Sequence, residues 1–118
     1  MTPGELRART KAFALRIIKL VGILPRHPVA RVIGAQIVRS GTSVGANYRA
    51  ACRAQSRAAF AAKLGIVEEE ADETLYWLEL LAESECVKPE RLQELSKEAR
   101  EIVAIVTASR KTLRAREN

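Results

Sequence analysis

The sequence predicts an all-α fold, an antiparallel up-down-up-down bundle of four helices built as a single domain over residues 1–118. Three observations predict it. The length suits one domain rather than two. Aromatic residues make up only 4% of the chain, and just six glycines and four prolines interrupt it. Apolar residues also recur at alternating spacings of three and four in four segments, which is the period of helices packed as in a coiled coil.

The first two helices have clear start signals. Thr2 is a suitable N-cap, Pro3 fits the first helical position, and Glu5 completes a capping box. This helix is expected to end before Pro25, because the residue preceding a proline is disfavoured in the α region. Pro28 is expected to begin the second helix. The apolar stripe of the first helix is Leu6, Thr10, Phe13, Ile17, Leu20 and Leu24, and that of the second is Ile33, Ile37, Ser40, Val44, Asn47 and Ala51.

Glycines mark the second helix as a place of close packing. Gly34, Gly41 and Gly45 each cost about 1 kcal/mol relative to alanine in a helix. A helix that carries them usually brings another backbone close. Gly41 and Gly45 share one face, so we expect them at an interface. The alternative is a break at residues 40–43, which would give a loop followed by a second short helix.

The third helix carries two stripes, and this predicts two packing partners. Ser56 is its expected N-cap. One stripe faces the bundle, and the other is available to a neighbouring subunit. Residues 84–88 form the next connection, and Pro89 is expected to begin the fourth helix. The bundle stripe is Phe60, Leu64, Val67, Ala71, Thr74, Leu78 and Leu81. The residues expected at a subunit interface are Gly41, Gly45, Ile66, Trp77 and Leu80.

Two carboxylates lie on the second of these stripes. Glu70 and Glu73 alternate there with apolar residues, so we expect them to be partly buried and to need a partner. Arg39 of the second helix is the expected partner. If burial were complete, Arg39→Ala would cost about 3–5 kcal/mol. The whole predicted polar layer is Gln36, Arg39, Ser40, Ser43, Asn47, Glu70 and Glu73.

Charge is distributed unevenly along the chain, whose net charge is +6. Residues 1–63 carry twelve Lys/Arg and one acid, whereas residues 64–118 carry eight Lys/Arg and thirteen acids. A basic half of this kind favours a polyanionic partner, RNA or DNA, bound through its phosphates. The alternative is that the basic half pairs with the acidic half inside the fold or oligomer. The predicted phosphate contacts are Arg7, Arg9, Lys11, Arg16, Lys19, Arg26, Arg31, Arg53 and Arg57.

No motif for catalysis stands out. The sequence has no phosphate-binding P-loop, no zinc-ligand spacing and no nucleophile elbow, so we expect neither an enzyme nor a cofactor or metal. The pair Glu70 and Glu73 is the one alternative for metal or acid–base chemistry. Cys52 and Cys86 are expected to be small buried apolar residues. His27 lies in a Pro-Arg-His-Pro turn with no evident partner.

Membrane insertion and secretion are not expected. No apolar run approaches the ~20 residues that span a bilayer. The N-terminus lacks the apolar core of a signal peptide. The expected location is therefore the cytoplasm.

Two runs of residues resemble a known family. Arg-Ser-Gly-Thr-Ser-Val-Gly-Ala-Asn at 39–47 and Glu-Thr-Leu-Tyr-Trp-Leu at 73–78 are similar in order and spacing to the signature of the bacterial four-helix-bundle family of the protein encoded in the 23S rRNA intervening sequence. The resemblance covers residues 13 to about 82. It departs from the family pattern after Ser56, where Ala58 and Ala61 replace an acidic and a larger apolar residue.

The resemblance implies an assembly and a kinship. It implies a ring-like homopentamer and a relation to the accessory protein of diversity-generating retroelements, which binds a reverse transcriptase and nucleic acid. Members of the family have no established enzymatic activity. With the charge pattern, this favours a non-enzymatic, nucleic-acid-associated adaptor. The alternative is a protein-interaction scaffold that docks an acidic partner or a reverse transcriptase.

Overall fold

Four α-helices in an antiparallel arrangement make up the computed structural model, which describes residues 1–117. The helices are α1 (Pro3–Gly22), α2 (Pro28–Cys52), α3 (Arg57–Glu83) and α4 (Gln93–Glu117), with a 3-10 turn at Pro89–Arg91. Each helix packs against the next, and α1 and α4 make the sparsest contact of the adjacent pairs. The result is a rod of 49 × 21 × 21 Å. The predicted all-α fold with four helices is confirmed, and the described part of the chain has no strand.

The helix starts follow the predicted capping chemistry. The Thr2 hydroxyl accepts a hydrogen bond from the Glu5 backbone N–H at 3.1 Å. The Ser56 hydroxyl accepts one from the Ala59 N–H at 3.0 Å. The N-cap of α2 is His27, whose Nδ1 accepts a hydrogen bond from the Val29 N–H at 3.2 Å. The partner that the sequence left unassigned for His27 is therefore the backbone of its own helix.

Two boundaries and one alternative differ from expectation. α1 ends at Gly22 rather than at the residue before Pro25, and Pro89 begins a 3-10 turn rather than α4 itself. The break at residues 40–43 is wrong, because α2 runs through them without interruption. Hydroxyls in this stretch donate to backbone carbonyls four residues earlier, as Ser40 does to Gln36 at 2.8 Å. The hydroxyls are thus satisfied within the helix.

The core follows the predicted stripes, except that Leu20, Leu24 and Phe60 are only half-buried and Tyr48, rather than Asn47, is buried. Three polar side chains, Thr10, Ser40 and Thr74, are also fully buried. The Thr74 hydroxyl lies 2.9 Å from that of Ser40, so a hydrogen bond links α2 to α3 inside the core. Thr10 and Ser40 each donate to a carbonyl of their own helix, and Thr74 donates to the Ser40 hydroxyl, so all three buried hydroxyls have an acceptor. The largest fully buried apolar side chains are Phe13, Ile17, Ile37, Leu64, Leu78, Leu81, Leu92 and Ile102.

The glycines of α2 face α1 of the same chain. A Cβ added to Gly41 would lie 2.8 Å from Ile17 Cγ1, and one added to Gly45 would lie 3.3 Å from the Thr10 backbone. The absence of side chains therefore lets the two helices approach closely. The prediction of a close approach holds, and Gly41 is buried against α1 rather than against a second subunit, whereas an interface at the half-buried Gly45 stays a prediction.

The large apolar side chains that are exposed lie outside the set of residues expected at a subunit interface. Trp77 and Leu80 are half-buried and pack against the core. Trp77 Nε1 also donates to the Glu73 carboxylate at 3.0 Å, within α3. By contrast, Leu15 and Ile18 on α1 are 60% and 51% exposed. The first helix, and not only the third, has an apolar flank without a partner in the bundle.

Candidate nucleic-acid interface

The antiparallel topology gathers positive charge at one end of the rod. The start of α1, the end of α2, the start of α3 and the end of α4 all lie there. Residues 1–11, 49–63 and 105–116, which we call the basic end, carry eleven Lys/Arg and a single acid, Glu5. The eleven cationic residues are Arg7, Arg9, Lys11, Arg49, Arg53, Arg57, Lys63, Arg110, Lys111, Arg114 and Arg116.

One of these cations is used inside the fold. Arg9 donates from Nε and Nη2 to both carboxylate oxygens of Glu98, at 2.7 and 2.6 Å, and from Nη2 to Glu101 at 2.7 Å. The hydrogen bond from Arg9 holds the pKa of the Glu98 carboxyl below its usual range. Arg9 thus connects α1 to α4. The structure corrects its assignment as a phosphate contact.

Arg110 has a similar role on the other side of the bundle. Its guanidinium lies 3.3 Å from the Glu68 carboxylate. Glu68 also accepts a hydrogen bond from the Thr107 hydroxyl at 3.1 Å. These contacts join α4 to α3. Nine cationic residues of the basic end are left for other partners once Arg9 and Arg110 are set aside.

A groove between α1 and α2 opens at the basic end. Arg7 and Lys11 from α1 and Arg49 from α2 lie along it, and it encloses about 410 Å³. Its floor is made of small residues, among them Gly45 and Ala46. The lining residues include no acid. Three cations along a floor of small residues suit a phosphate-bearing chain, because the small residues let that chain approach the protein backbone closely.

The remaining predicted contacts separate into two groups. Arg53 and Arg57 are exposed at the basic end. Arg16 and Lys19 lie further along α1, while Arg26 and Arg31 lie at the opposite end of the rod. The nine predicted residues therefore do not form one surface.

Apart from Arg110, which pairs with Glu68, the sequence reasoning missed five members of the basic end. Their signal is topological, because in an antiparallel bundle the ends of even-numbered helices meet the starts of odd-numbered ones. Counting charge by helix end, rather than by chain half, would have found them. The five are Arg49, Lys63, Lys111, Arg114 and Arg116.

A buried tyrosine sits behind this surface. Burial, with a smaller contribution from the neighbouring Cys52 thiol, raises the pKa of Tyr48 to about 12. Tyr48 therefore remains neutral and does not offset the nearby cations. Cys52 is half-buried rather than fully buried, as is Cys86, and the two lie at opposite ends of the rod.

Arg39 contacts both carboxylates that the sequence paired with it. It lies 3.3 Å from Glu70 and also contacts Glu73. Its side chain is 47% exposed, so the group is a surface ion-pair cluster and not a buried layer. Ser43 and Asn47 do not take part, because each bonds a carbonyl of α2 itself. Gln36 accepts a hydrogen bond from Arg39 at 3.0 Å.

The exposure of Arg39 lowers the expected effect of removing it. Arg39→Ala should reduce the free energy of unfolding by less than about 1 kcal/mol, because exposed ion pairs contribute little. Urea unfolding followed by circular dichroism measures this, with Arg26→Ala as the matched control on an exposed loop arginine. A loss of about 3 kcal/mol or more would show that the cluster is buried in solution.

The described residues offer little for a metal site or a membrane-spanning segment. Among residues 1–117 no three His, Cys, Asp or Glu side chains are grouped so that they could hold a metal ion. Glu70 and Glu73 are instead engaged by Arg39. None of the described helices combines the length and the apolar character that crossing a membrane requires.

Comparison with known proteins identifies a family and solved structures to which this chain is similar. A family model described as 23S rRNA-intervening sequence protein matches residues 5–108. A crystal structure at 1.70 Å from Bacteroides thetaiotaomicron VPI-5482, of a protein of unknown function from the S23 ribosomal protein family, is 40% identical in sequence. The match covers 94% of this chain and 99% of that one, with a TM-score of 0.87. No curated protein matches.

Proposed function

The chain belongs to the 23S rRNA-intervening sequence protein family, and from this premise we propose that it is a non-enzymatic adaptor that associates with nucleic acid through its basic end. The observation that carries the proposal is the gathering of eleven Lys/Arg and one acid at one end of the rod. Phosphate backbones are bound largely through release of counterions by such clusters.

The size of the basic end supports this. A duplex carries one negative charge per ~1.7 Å of its axis, so a stretch as long as the 21 Å width of the rod carries about 12. Nine cationic residues remain there after Arg9 and Arg110 are set aside. The two charges are of the same order, and one end of the rod is therefore matched to about half a helical turn of a duplex.

The mode of binding follows from the absence of stacking surfaces. The basic end contains a single aromatic side chain, Phe60, which is half-buried, and the adjacent Tyr48 is buried. Reading of single-stranded bases relies on exposed aromatic platforms. Binding through shape and charge, with little sequence preference, fits the surface better.

Self-association is the second part of the proposal. The exposed apolar residues Leu15 and Ile18 support it, because unpartnered apolar surface commonly marks an interaction site. We propose a homo-oligomer in the form of the ring-like pentamer that the family resemblance implies. Gathering several basic ends would increase the attraction for a polyanion at low salt.

The test compares two variants of equal net charge. In the first, Arg7, Arg49, Arg53 and Arg57 are replaced by alanine; in the control, Arg26, Arg31, Lys88 and Arg91 are. Fluorescence anisotropy with a mixed-sequence RNA or DNA duplex gives the affinity between about 50 and 200 mM salt. At the lower salt concentration, we expect the affinity of the first variant for the duplex to fall about 100-fold or more, and that of the control to fall much less. The affinity of the first variant should also depend less steeply on salt than that of the parent.

Each result has a clear meaning. If the parent protein does not bind a duplex even at about 50 mM salt, the adaptor proposal fails. If both variants lose affinity equally, net charge alone is responsible and the basic end is not the site. If polyglutamate binds at the basic end and the duplex does not, the protein is instead a scaffold for an acidic partner.

A further inference from the structure

The groove between α1 and α2 has two different parts along the axis of the rod. Gly45 of α2 packs against the Thr10 backbone of α1. From there α2 runs one turn on to Arg49, while the antiparallel α1 runs back about one turn to Arg7. The two arginines therefore lie level with each other on opposite walls of the groove, at its mouth near the end of the rod.

Lys11 adds a third cation at this mouth. It follows Arg7 by four residues of α1, which is about 6 Å along the helix axis. Both side chains are exposed, as is that of Arg49. Within residues 1–117 none of the three forms an ion pair with an acid. The mouth of the groove thus carries three uncompensated positive charges within about one helical turn.

Towards the middle of the rod, small side chains line the groove. Ala14 and Thr42 line its inner part, next to the floor made by Gly45 and Ala46. The Thr42 hydroxyl donates its proton to the Val38 carbonyl at 2.6 Å, so towards the groove it offers only an acceptor. The three cations supply the other polar side chains of the lining. The inner part is therefore mainly apolar and poor in hydrogen-bonding groups.

The groove also has the size of a ligand site. It encloses about 410 Å³, within the range of roughly 300–1,000 Å³ that small-molecule sites occupy. We propose that it binds one nucleotide that carries at least two phosphates, with the phosphates between the three cations and the base on the floor of small residues. This rests on the nucleic-acid function proposed above and names the unit recognised, which is either a free nucleotide or the 5′-polyphosphorylated end of a strand.

Charge density favours a polyphosphate over an acidic peptide. An extended peptide advances about 3.3–3.6 Å per residue, so it places about two carboxylates within the 6 Å between Arg7 and Lys11. A di- or triphosphate concentrates more negative charge over the same distance and matches the three cations better. Because the floor lacks hydrogen-bond donors, we expect adenine and guanine nucleotides to bind about equally.

Isothermal titration calorimetry of the full chain with ATP, at about 50 mM salt and without divalent cations, tests the proposal. Ala46→Leu keeps every charge but fills the floor, so the Kd for ATP should rise about tenfold or more. Ala35→Leu is the matched control, because Ala35 is also an exposed alanine of α2 but lies outside the groove. It should leave the Kd unchanged. Circular dichroism shows whether both variants are folded.

Two further probes separate the nucleotide from its phosphates and a free nucleotide from a strand end. Inorganic tripolyphosphate should bind about tenfold more weakly than ATP, because it leaves the floor empty. A short RNA with a 5′-triphosphate is compared with the same RNA carrying a 5′-hydroxyl. If the triphosphate strengthens RNA binding, and Ala46→Leu removes that difference, the strand end is the ligand. If ATP binds and the 5′-triphosphate gives no such gain, the free nucleotide is.

Three results would overturn the proposal. They are a parent protein that does not bind ATP, an Ala46→Leu variant with the parent's affinity for ATP, and equal affinities for ATP and tripolyphosphate. A parent that binds a duplex but not ATP would count only against the nucleotide site. A parent that binds ATP but no duplex would count only against the adaptor proposal.

Discussion

Gly41→Val is expected to lower the free energy of unfolding by about 3 kcal/mol. The new Cβ would lie 2.8 Å from Cγ1 and 3.0 Å from Cγ2 of Ile17. These atoms branch directly from the Ile17 Cβ and cannot rotate away, and Ile17 itself is fully buried. Either α1 moves away from α2 or a core side chain leaves its rotamer, and overpacking of this kind typically costs 1–3 kcal/mol.

The matched control is Gly65→Val in the middle of α3. A Cβ at Gly65 would meet only the end of the Arg110 side chain, at 3.6 Å, which is an ordinary contact with a flexible group. The free energy of unfolding of the Gly65→Val variant should differ from that of the parent by less than about 1 kcal/mol. Urea denaturation of both variants provides the comparison. Equal effects would mean that helix propensity, and not the closeness of α1, accounts for the cost.

Arg9→Met is expected to lower the free energy of unfolding by about 1–2 kcal/mol at neutral pH. The pair with Glu98 is partly buried, with side-chain exposures of 26% and 15%, and is bidentate. Methionine keeps much of the arginine volume but leaves the Glu98 carboxylate without its main donor. The effect should be visible because α1 and α4 make little other contact. Arg100→Met, at an exposed site on α4, is the control.

The pH dependence of this variant has a definite sign. Since Arg9 lowers the pKa of Glu98 in the folded state, the pair stabilises the fold above the ordinary pKa of the carboxyl. This contribution disappears as the pH falls through the lowered folded pKa. The difference in unfolding free energy between the parent and Arg9→Met should therefore shrink with acidification. A difference that stayed constant with pH would indicate lost packing instead.

Local signals in the sequence were enough to predict the four helices. Period alone identified most of the buried stripes, although it placed Asn47 rather than Tyr48 in the core. The capping residues Thr2 and Ser56 were predicted correctly because a cap depends on three or four neighbouring residues. His27 was missed because its acceptor is a ring nitrogen, and histidine is not among the usual N-caps. Boundaries near Pro25 and Pro89 shifted by a few residues, as helix ends commonly do.

Predicting the site required information that hydrophobic periodicity does not contain. Which neighbour a glycine face meets is set by the rotation of the whole helix, so Gly41 was assigned to another subunit when it faces α1. Arg39 was paired with the right acids but placed too deep, because exposure depends on what lies outside the bundle. Arg49 and Arg114 lie at the same end of the rod although their positions differ by 65 in the sequence, and only the topology reveals it.

The positions of the two chain ends affect how the protein should be handled. α1 begins and α4 ends at the basic end. An affinity tag attached at either terminus would therefore emerge beside the proposed nucleic-acid surface, and a polyhistidine or acidic tag there would obstruct or mask it. The turns at residues 23–27 and 84–88 lie at the far end of the rod. A short epitope or a dye placed in one of these turns would leave the cationic surface unobstructed for the binding measurements.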